Sequence, residues 1–161
     1  MQAKKLIEKA ESEDSIKKLI KEGYFLGSIF TMLDDIKPVK EWRLLFYNPK
    51  SRKIFEFSFD GSFEKGESEA RERPMHRLVV DNLEIELDSA LKTAKSEFDK
   101  KISARVINYL ISLHMKGVAE KMIAVWTINI IYSGMNVQTY DIDASSGDVI
   151  NEESTSLVSV K

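Results

Sequence analysis

The acidic residues near the carboxyl end of the chain offer the first candidate for chemistry. In the stretch YDIDASSGDVINE, Asp141, Asp143 and Glu152 fall at positions one, three and twelve of a twelve-residue loop. These are oxygen-ligand positions of a helix–loop–helix calcium site. The glycine expected at position six is Ser146, and the apolar residue expected at position eight is Asp148. We therefore predict a β-hairpin here and no metal site, with the three acids kept as calcium candidates only.

The two histidines are the other residues with catalytic potential. His114 follows an apolar stretch, and His76 lies in the polar segment RPMHR. A histidine base needs a nucleophile and an orienting acid, and the chain has no Gly-x-Ser-x-Gly turn to supply the nucleophile. An enzyme that uses Asp141 and Asp143 is the weakest hypothesis. We predict surface histidines, no catalytic or cofactor-binding residues, and a protein that is not an enzyme.

Composition narrows the class of protein further. The chain has 161 residues, 24 basic and 26 acidic, a net charge of -2, and no cysteine. The charge balance gives no basic field for nucleic acid, and the missing thiols exclude disulfides and thiolate metal sites. The first residues, MQAKKLIEKAESED, contain no long apolar run. We expect no membrane insertion, and a cytoplasmic protein as the chain stands, or an exported one if a signal was trimmed from a longer precursor.

Apolar periodicity predicts the elements that carry these residues. Helical spacing favours a helix over residues 3–22 and another that begins after Asp88. Trp42 and Trp126 lie in alternating segments, and both are expected to anchor a core because tryptophan buries a large apolar area. Strands are predicted in YFLGSIFTML, EWRLLFY, KIFEFSF, ARVINYLISLHM, AVWTINIIY and VQTYDIDA.

The two halves of the chain match in kind. DSIKKLIKE corresponds to DSALKTAKSEF, WRLLFY to WTINIIY, and FSFDGS to YDIDAS. Such self-similarity is typical of a structural duplication. The sequence predicts an α+β fold of two tandem units, each a helix packed on an antiparallel β-sheet. The units would span residues 1–64 and 83–161, and residues 65–82 would form a linker or long loop.

Residues of the second half carry a family signature. They are an Ala-Leu-x-x-Ala helix, a strand with tryptophan, and a strand that ends in Tyr-x-Ile-Asp-Ala-x-x-Gly: Ala90, Ala94, Trp126, Tyr140, Ile142, Asp143, Ala144 and Gly147. This pattern resembles the PepSY family over roughly residues 85–151. The first half keeps Trp42 and the FDG turn but lacks the rest. The resemblance implies a cystatin-like helix on an antiparallel sheet, often in tandem. It also implies a non-catalytic, exported or membrane-tethered protein of a kind proposed to restrain peptidases.

The strand that contains Trp126 is apolar on both faces, although a half-exposed strand should be polar on one. Its second face holds the predicted interaction surface: Ile123, Val125, Thr127 and Ile131. The partner predicted for this face is the other half of the chain, whose sheet would pack against this one or join it, an unknown protein or peptide, or a second copy of the chain in a homodimer.

Two functions remain open at this point. The favoured one is a non-catalytic binding or regulatory protein that recognises a protein or peptide through a sheet edge or face. The alternative is a small-ligand carrier whose pocket lies between helix and sheet, lined by Phe55, Phe57 and Tyr109. No cofactor is predicted for either.

Overall fold

A computed structural model describes residues 2–34 and 39–157. Within those ranges the chain forms three helices and eight strands, in the order α1 Ala3–Ser12, α2 Asp14–Lys21, β1 Phe25–Leu33, β2 Trp42–Tyr47, β3 Lys53–Phe59, β4 Phe63–Ala70, α3 Leu87–Lys101, β5 Val106–Val118, β6 Lys121–Tyr132, β7 Asn136–Asp143 and β8 Val149–Ser156. Antiparallel strands and separate helices confirm the α+β class.

All the described strands belong to one antiparallel sheet, whose order is β4-β3-β2-β1-β5-β6-β7-β8. The two halves of the chain meet at the centre, where β1 pairs with β5 from Ser28 opposite His114 to Leu33 opposite Tyr109. β4 and β8 form the two edges. Because β1 and β5 are distant in sequence, this central pairing is a tertiary feature that local periodicity does not encode.

The predicted division into two tandem helix-on-sheet units is wrong. The strands of both halves share one hydrogen-bonded sheet, and the helices of both halves pack into one cluster of buried side chains. Trp42 and Trp126, one from each half, lie in that one cluster with ring centroids 6.4 Å apart. The expected linker over residues 65–82 begins inside strand β4 instead.

The core lies on one face of the sheet, under all three described helices. Helix α1 buries Leu6 and Ile7, and helix α3 buries Leu91 and Phe98 on a stripe with helical spacing. Trp126 is fully buried beneath them, and its indole Nε1 donates a hydrogen bond of 2.8 Å to a backbone carbonyl. The prediction that both tryptophans anchor a core is confirmed.

Residues 71–86, which we call the crossing segment, lead from β4 to α3. The amide of Leu78 donates to the carbonyl of Leu26 at 2.8 Å, which ties the segment to the start of β1. The amide of Ile85 donates to the carbonyl of Ala144 at 2.9 Å, which ties its other end to the turn after β7. The segment is therefore anchored to both halves of the sheet.

Glu86 at the end of this segment joins two helix starts. It precedes the first residue of α3, and its carboxylate accepts hydrogen bonds from the amides of Ala3 at 2.8 Å and Lys4 at 3.2 Å. Free amides and the positive end of the helix dipole make a helix N-terminus favourable for a carboxylate. Glu86 thus stabilises the first turn of α1 from the other half of the chain.

Candidate functional site

The face of the sheet opposite the helices, which we call the open face, carries the candidate site. Alternation places every second side chain of the central strands here. One row of directly paired residues crosses this face from β2 to β8: Arg43, Phe30, Ser112, Thr127, Asp141 and Asn151. The row is polar at both ends and aromatic at Phe30, so a single surface combines charge with apolar area.

Asp141 is the buried charge of the open face, with 4% of its surface exposed. Its carboxylate accepts hydrogen bonds from the Thr127 hydroxyl at 2.5 Å and the Asn151 amide at 3.2 Å, and it forms an ion pair with Lys116. Burial alone would raise the pKa of Asp141, but the hydrogen bonds from Lys116, Thr127 and Asn151 outweigh it and lower the pKa. Asp141 is therefore ionised and fully partnered.

His114 lies on β5, two residues after Ser112 and on the same face of the sheet, and it is half-buried. Its Nδ1 is 3.2 Å from the Ser112 hydroxyl. Burial lowers the pKa of His114, an effect that the negative charge of Asp141 opposes and the positive charge of Lys116 reinforces. Serine, histidine and aspartate thus lie close together, but the described hydrogen bonds of Asp141 run to Lys116, Thr127 and Asn151 and not to His114.

An apolar groove of about 560 Å³ lies beside this polar cluster, between β1 and β5. Its apolar walls are Phe30, Met32 and Leu110; Met32 is 61% exposed and Leu110 is 40% exposed. Arg43 borders the groove 5.9 Å from the centre of the Phe30 ring. Exposed apolar side chains around a groove on a sheet face are typical of a binding surface.

Acidic side chains hold Arg43 at the rim of the groove. Its guanidinium donates to Glu41 at 3.1 Å and to Glu56 at 3.2 Å. These two carboxylates raise the pKa of Arg43, chiefly through the hydrogen bond to Glu41. Because two acids surround one base, this cluster of three side chains carries a net negative charge.

The four residues predicted as an interaction surface all lie on the open face, on strand β6. Val125 is fully buried there, and the Thr127 hydroxyl is bonded to Asp141, so neither is free to contact a partner. Ile123 and Ile131 are partly exposed near opposite ends of the strand. Their role in an interaction stays a prediction.

The sequence analysis missed the groove on the neighbouring strands. Phe30 and Met32 alternate with the buried Ile29 and Leu33, in the same pattern that drew attention to β6. Apolar residues at the outward positions of SIFTML were the available signal. The segment was predicted only as a strand, because its nearly continuous apolar character does not distinguish an inward from an outward face.

The calcium candidates are not brought together. Asp143 caps the turn after β7, where its Oδ1 accepts hydrogen bonds from two backbone amides of that turn. Glu152 is paired with Tyr140 on the helix-covered face, and its carboxylate bonds Lys101 at 2.6 Å. Strands β7 and β8 confirm the predicted hairpin, and Gly147 takes a positive φ of 83° in its turn. In residues 2–34 and 39–157, no three histidines or acids are grouped to hold a metal ion.

The aromatics expected to line a pocket between helix and sheet are packed in the core. Phe57 and Tyr109 are almost completely buried, and the Phe55 ring lies edge-to-face against Tyr24 at 5.3 Å. The groove described above lies on the other face of the sheet.

Comparison with known proteins gives one informative match. A solved structure of a "putative lipoprotein" from Clostridium difficile 630 superimposes with a TM-score of 0.54 over 88% of this chain and 89% of that chain, at 10% sequence identity. The likeness shows that the two proteins share a fold. No family model and no curated protein matches the chain. None of the described helices is long and apolar enough to span a membrane.

Proposed function

We propose that the protein is a non-catalytic binding module that recognises a protein or peptide through the groove on the open face. The observation that carries the proposal is the exposure of Met32 and Leu110 beside Phe30, on a face from which all the described helices are turned away. Methionine suits such a surface because its flexible thioether adapts to different apolar partners. Burial of an apolar side chain in this groove would supply about 1.5–3 kcal/mol of binding free energy.

The charges at the groove define the chemistry of the partner. Glu41 and Glu56 exceed Arg43 by one negative charge at one rim. A complementary partner carries an apolar anchor next to a basic side chain. We propose an extended peptide or loop with that pattern, because complementary charge steers encounter and selects partners.

Selection from a random peptide library displayed on phage tests this proposal. We expect enriched peptides to combine an apolar residue with a neighbouring lysine or arginine. Leu110→Glu should weaken their binding at least tenfold, because it places a charge in the apolar wall. Met122→Glu is the matched control, since Met122 is exposed to a similar extent on β6 outside the groove and should leave binding unchanged.

Two outcomes would contradict the proposal. Peptides that bind the wild type and Leu110→Glu equally would exclude the groove as their site. A dimer of the wild type that dissociates in Leu110→Glu, measured by analytical ultracentrifugation, would show that a second copy of the chain occupies the face.

The identity of the target is a finer proposal. The PepSY resemblance of residues 85–151 supports restraint of a peptidase, and the description of the structural neighbour as a lipoprotein supports an exported location. Fractionation of native cells with an antibody against this protein tests the location. A purified secreted peptidase of the same organism that is inhibited by the wild type, and not by Leu110→Glu, would support restraint through the groove.

A small-ligand carrier is the second candidate. The groove volume of about 560 Å³ falls within the range of pockets that hold small molecules, roughly 300–1,000 Å³. Native mass spectrometry of protein purified from its source without denaturation tests this function. A bound mass that is lost in Leu110→Glu favours the carrier, and its absence favours the peptide-binding module.

A further inference from the structure

A second cavity, of about 200 Å³, lies between the crossing segment and the open face. The chain has only two histidines, and both His76 and His114 line this cavity. His76 comes from the crossing segment and His114 from strand β5. Met75, next to His76, adds a thioether. The crossing segment and β5 therefore bring two histidines and a methionine to the lining of one small cavity, where His114 is half-buried and His76 is exposed.

The Met75 side chain can pack where it does because residue 27 is a glycine. A Cβ atom at residue 27 would lie 2.6 Å from Met75 Cε and 3.1 Å from Met75 Sδ. The φ angle of Gly27 is not in the left-handed region, so the glycine is needed for space and not for backbone conformation. The thioether is seated directly on the backbone of β1, and any larger residue at this position would push it out.

His114 is arranged to present a free nitrogen. Its Nδ1 lies 3.2 Å from the Ser112 hydroxyl, and in the tautomer that carries its proton on Nδ1 the lone pair of Nε2 is left for a ligand. A histidine that binds a metal usually donates its other N–H to such an acceptor, which fixes the ring orientation.

We propose that Met75, His76 and His114 form a binding site for a soft monovalent metal ion, Cu(I). Thioether and imidazole are the ligand types that favour this ion, whereas Mg²⁺ and Ca²⁺ prefer carboxylates. No carboxylate is among the described residues that line the cavity.

Two neighbouring groups shape the site without belonging to its donor set. Arg71 also lines the cavity, with its Nε bonded to the carbonyl of Arg73 at 2.9 Å. Its positive charge opposes the binding of any cation, and it opposes a monovalent ion less than a divalent one. The Met115 sulfur is 3.5 Å from the amide of Val79 and accepts its hydrogen bond.

Metal titration of the full chain tests the proposal. Protein labelled with ¹³C in its methionine methyl groups is titrated with Ag(I), a redox-stable mimic of Cu(I), and followed by NMR. We expect the Met75 methyl signal to shift and to saturate at one metal ion per chain. Anaerobic competition with a chromogenic Cu(I) chelator then gives the affinity.

Variants separate this site from general metal binding. Met75→Leu and His114→Gln should each weaken Cu(I) binding at least tenfold, because loss of even a supporting group costs 10–100-fold. Met122→Leu, at an exposed position outside the cavity, is the control and should bind as the wild type. Met75→Leu conserves volume, so an unchanged melting temperature will show that the fold is intact.

The proposal is overturned if Met75→Leu binds Cu(I) as tightly as the wild type. It is also overturned if Ag(I) shifts all methionine signals together without saturation. Neither result bears on the groove between β1 and β5, whose peptide binding is measured separately.

Discussion

The two faces of the sheet are built from the same strands but differ in what they contribute to the protein. On the covered face, Trp126 and Leu113 sit under helices in a continuous apolar core. On the open face, their neighbours Thr127 and Ser112 belong to a polar row that borders an exposed apolar groove. The covered face holds the fold together, and the open face keeps apolar area that folding does not require.

This difference predicts that substitutions on the two faces have separable effects. Changes on the covered face should lower the free energy of unfolding, because they remove packing that the helices and sheet share. Changes in the groove should alter binding and leave stability nearly unchanged. The variants below are ordered from the largest expected effect on stability to the smallest.

Trp126→Ala should have the largest effect. Its ring is fully buried and its indole nitrogen is hydrogen-bonded to the carbonyl of Ile85. We expect a loss of about 3–5 kcal/mol in the free energy of unfolding, measured by urea denaturation. Leu110→Ala on the open face is the control and should cost no more than about 0.5 kcal/mol. Equal losses in the two variants would contradict the division between the faces.

Asp141→Asn tests a charge that is strongly buried on the open face. Asparagine keeps one oxygen for the hydroxyl of Thr127 but removes the oxygen and the negative charge that the ammonium of Lys116 and the amide of Asn151 contact, and we expect a loss of about 1–3 kcal/mol at pH 7. Asp99→Asn, which breaks an exposed i,i+4 pair with Lys95, is the control and should cost less than about 0.5 kcal/mol.

The pH dependence of the same variant gives an independent check. The pKa of Asp141 is lower in the folded protein than in the unfolded chain, where it is about 3.9. The ionised carboxylate therefore makes its full contribution to the free energy of unfolding above the unfolded pKa, and that contribution is lost as the pH falls through the folded pKa. The stability difference between wild type and Asp141→Asn should therefore be constant near neutrality and shrink below about pH 4. A difference that stays unchanged from pH 7 down to pH 2 would contradict a lowered pKa of Asp141 in the folded protein.

Gly27→Ala should loosen the crossing segment, because the added methyl group would lie against Met75. Because the end of the Met75 side chain can move aside, we expect a cost of only about 1 kcal/mol, concentrated locally, and several-fold faster trypsin cleavage after Arg71 and Arg77, followed by mass spectrometry. Gly117→Ala is the matched control, because a Cβ there has only an ordinary contact at 3.5 Å. Equal cleavage of both variants would show that Met75 does not hold the segment.

Glu86→Gln should have the smallest effect. It removes the charge that faces the first turn of α1 but keeps one hydrogen-bond acceptor. We expect a loss of about 0.3–1 kcal/mol that diminishes at high salt, measured by thermal unfolding. The exposed Glu84→Gln should change nothing measurable. A larger loss in Glu84→Gln than in Glu86→Gln would exclude this link between the helices.

The sequence was sufficient for most elements but not for their assembly. Alternation identified the strand around Trp126, and the turn residues Asp143 and Gly147 identified the last hairpin, because both signals are local. The pairing of Ser28 with His114 joins residues far apart in the chain, and the sequence of neither strand specifies the strand with which it pairs. Strand β4, FEKGESEA, was expected to be a loop because its sequence is polar. An edge strand held by backbone hydrogen bonds needs few apolar side chains, so a polar sequence does not exclude a strand there.

The site was less predictable for the same reason. His76 and His114 were assigned separately to the surface, because each was considered only in its own segment. The path of the crossing segment over Gly27 brings them to one cavity, and that path follows from the sheet order. In contrast, the outward positions of Phe30 and Met32 in β1 could have been predicted from the sequence, because they follow from strand alternation.

The junction between β1 and β5 has a consequence for fragments of the molecule. Each of these strands now has neighbours on both sides, so its backbone amides and carbonyls are shielded at the centre of the sheet. A cut within residues 71–86 that separated the halves would turn β1 and β5 into long, apolar, unpaired edges, which are templates for aggregation. The two fragments would also carry matching edges, and mixing them during refolding should restore the sheet. We therefore expect each half to aggregate when it is refolded alone, and we expect the presence of the other half to prevent that aggregation.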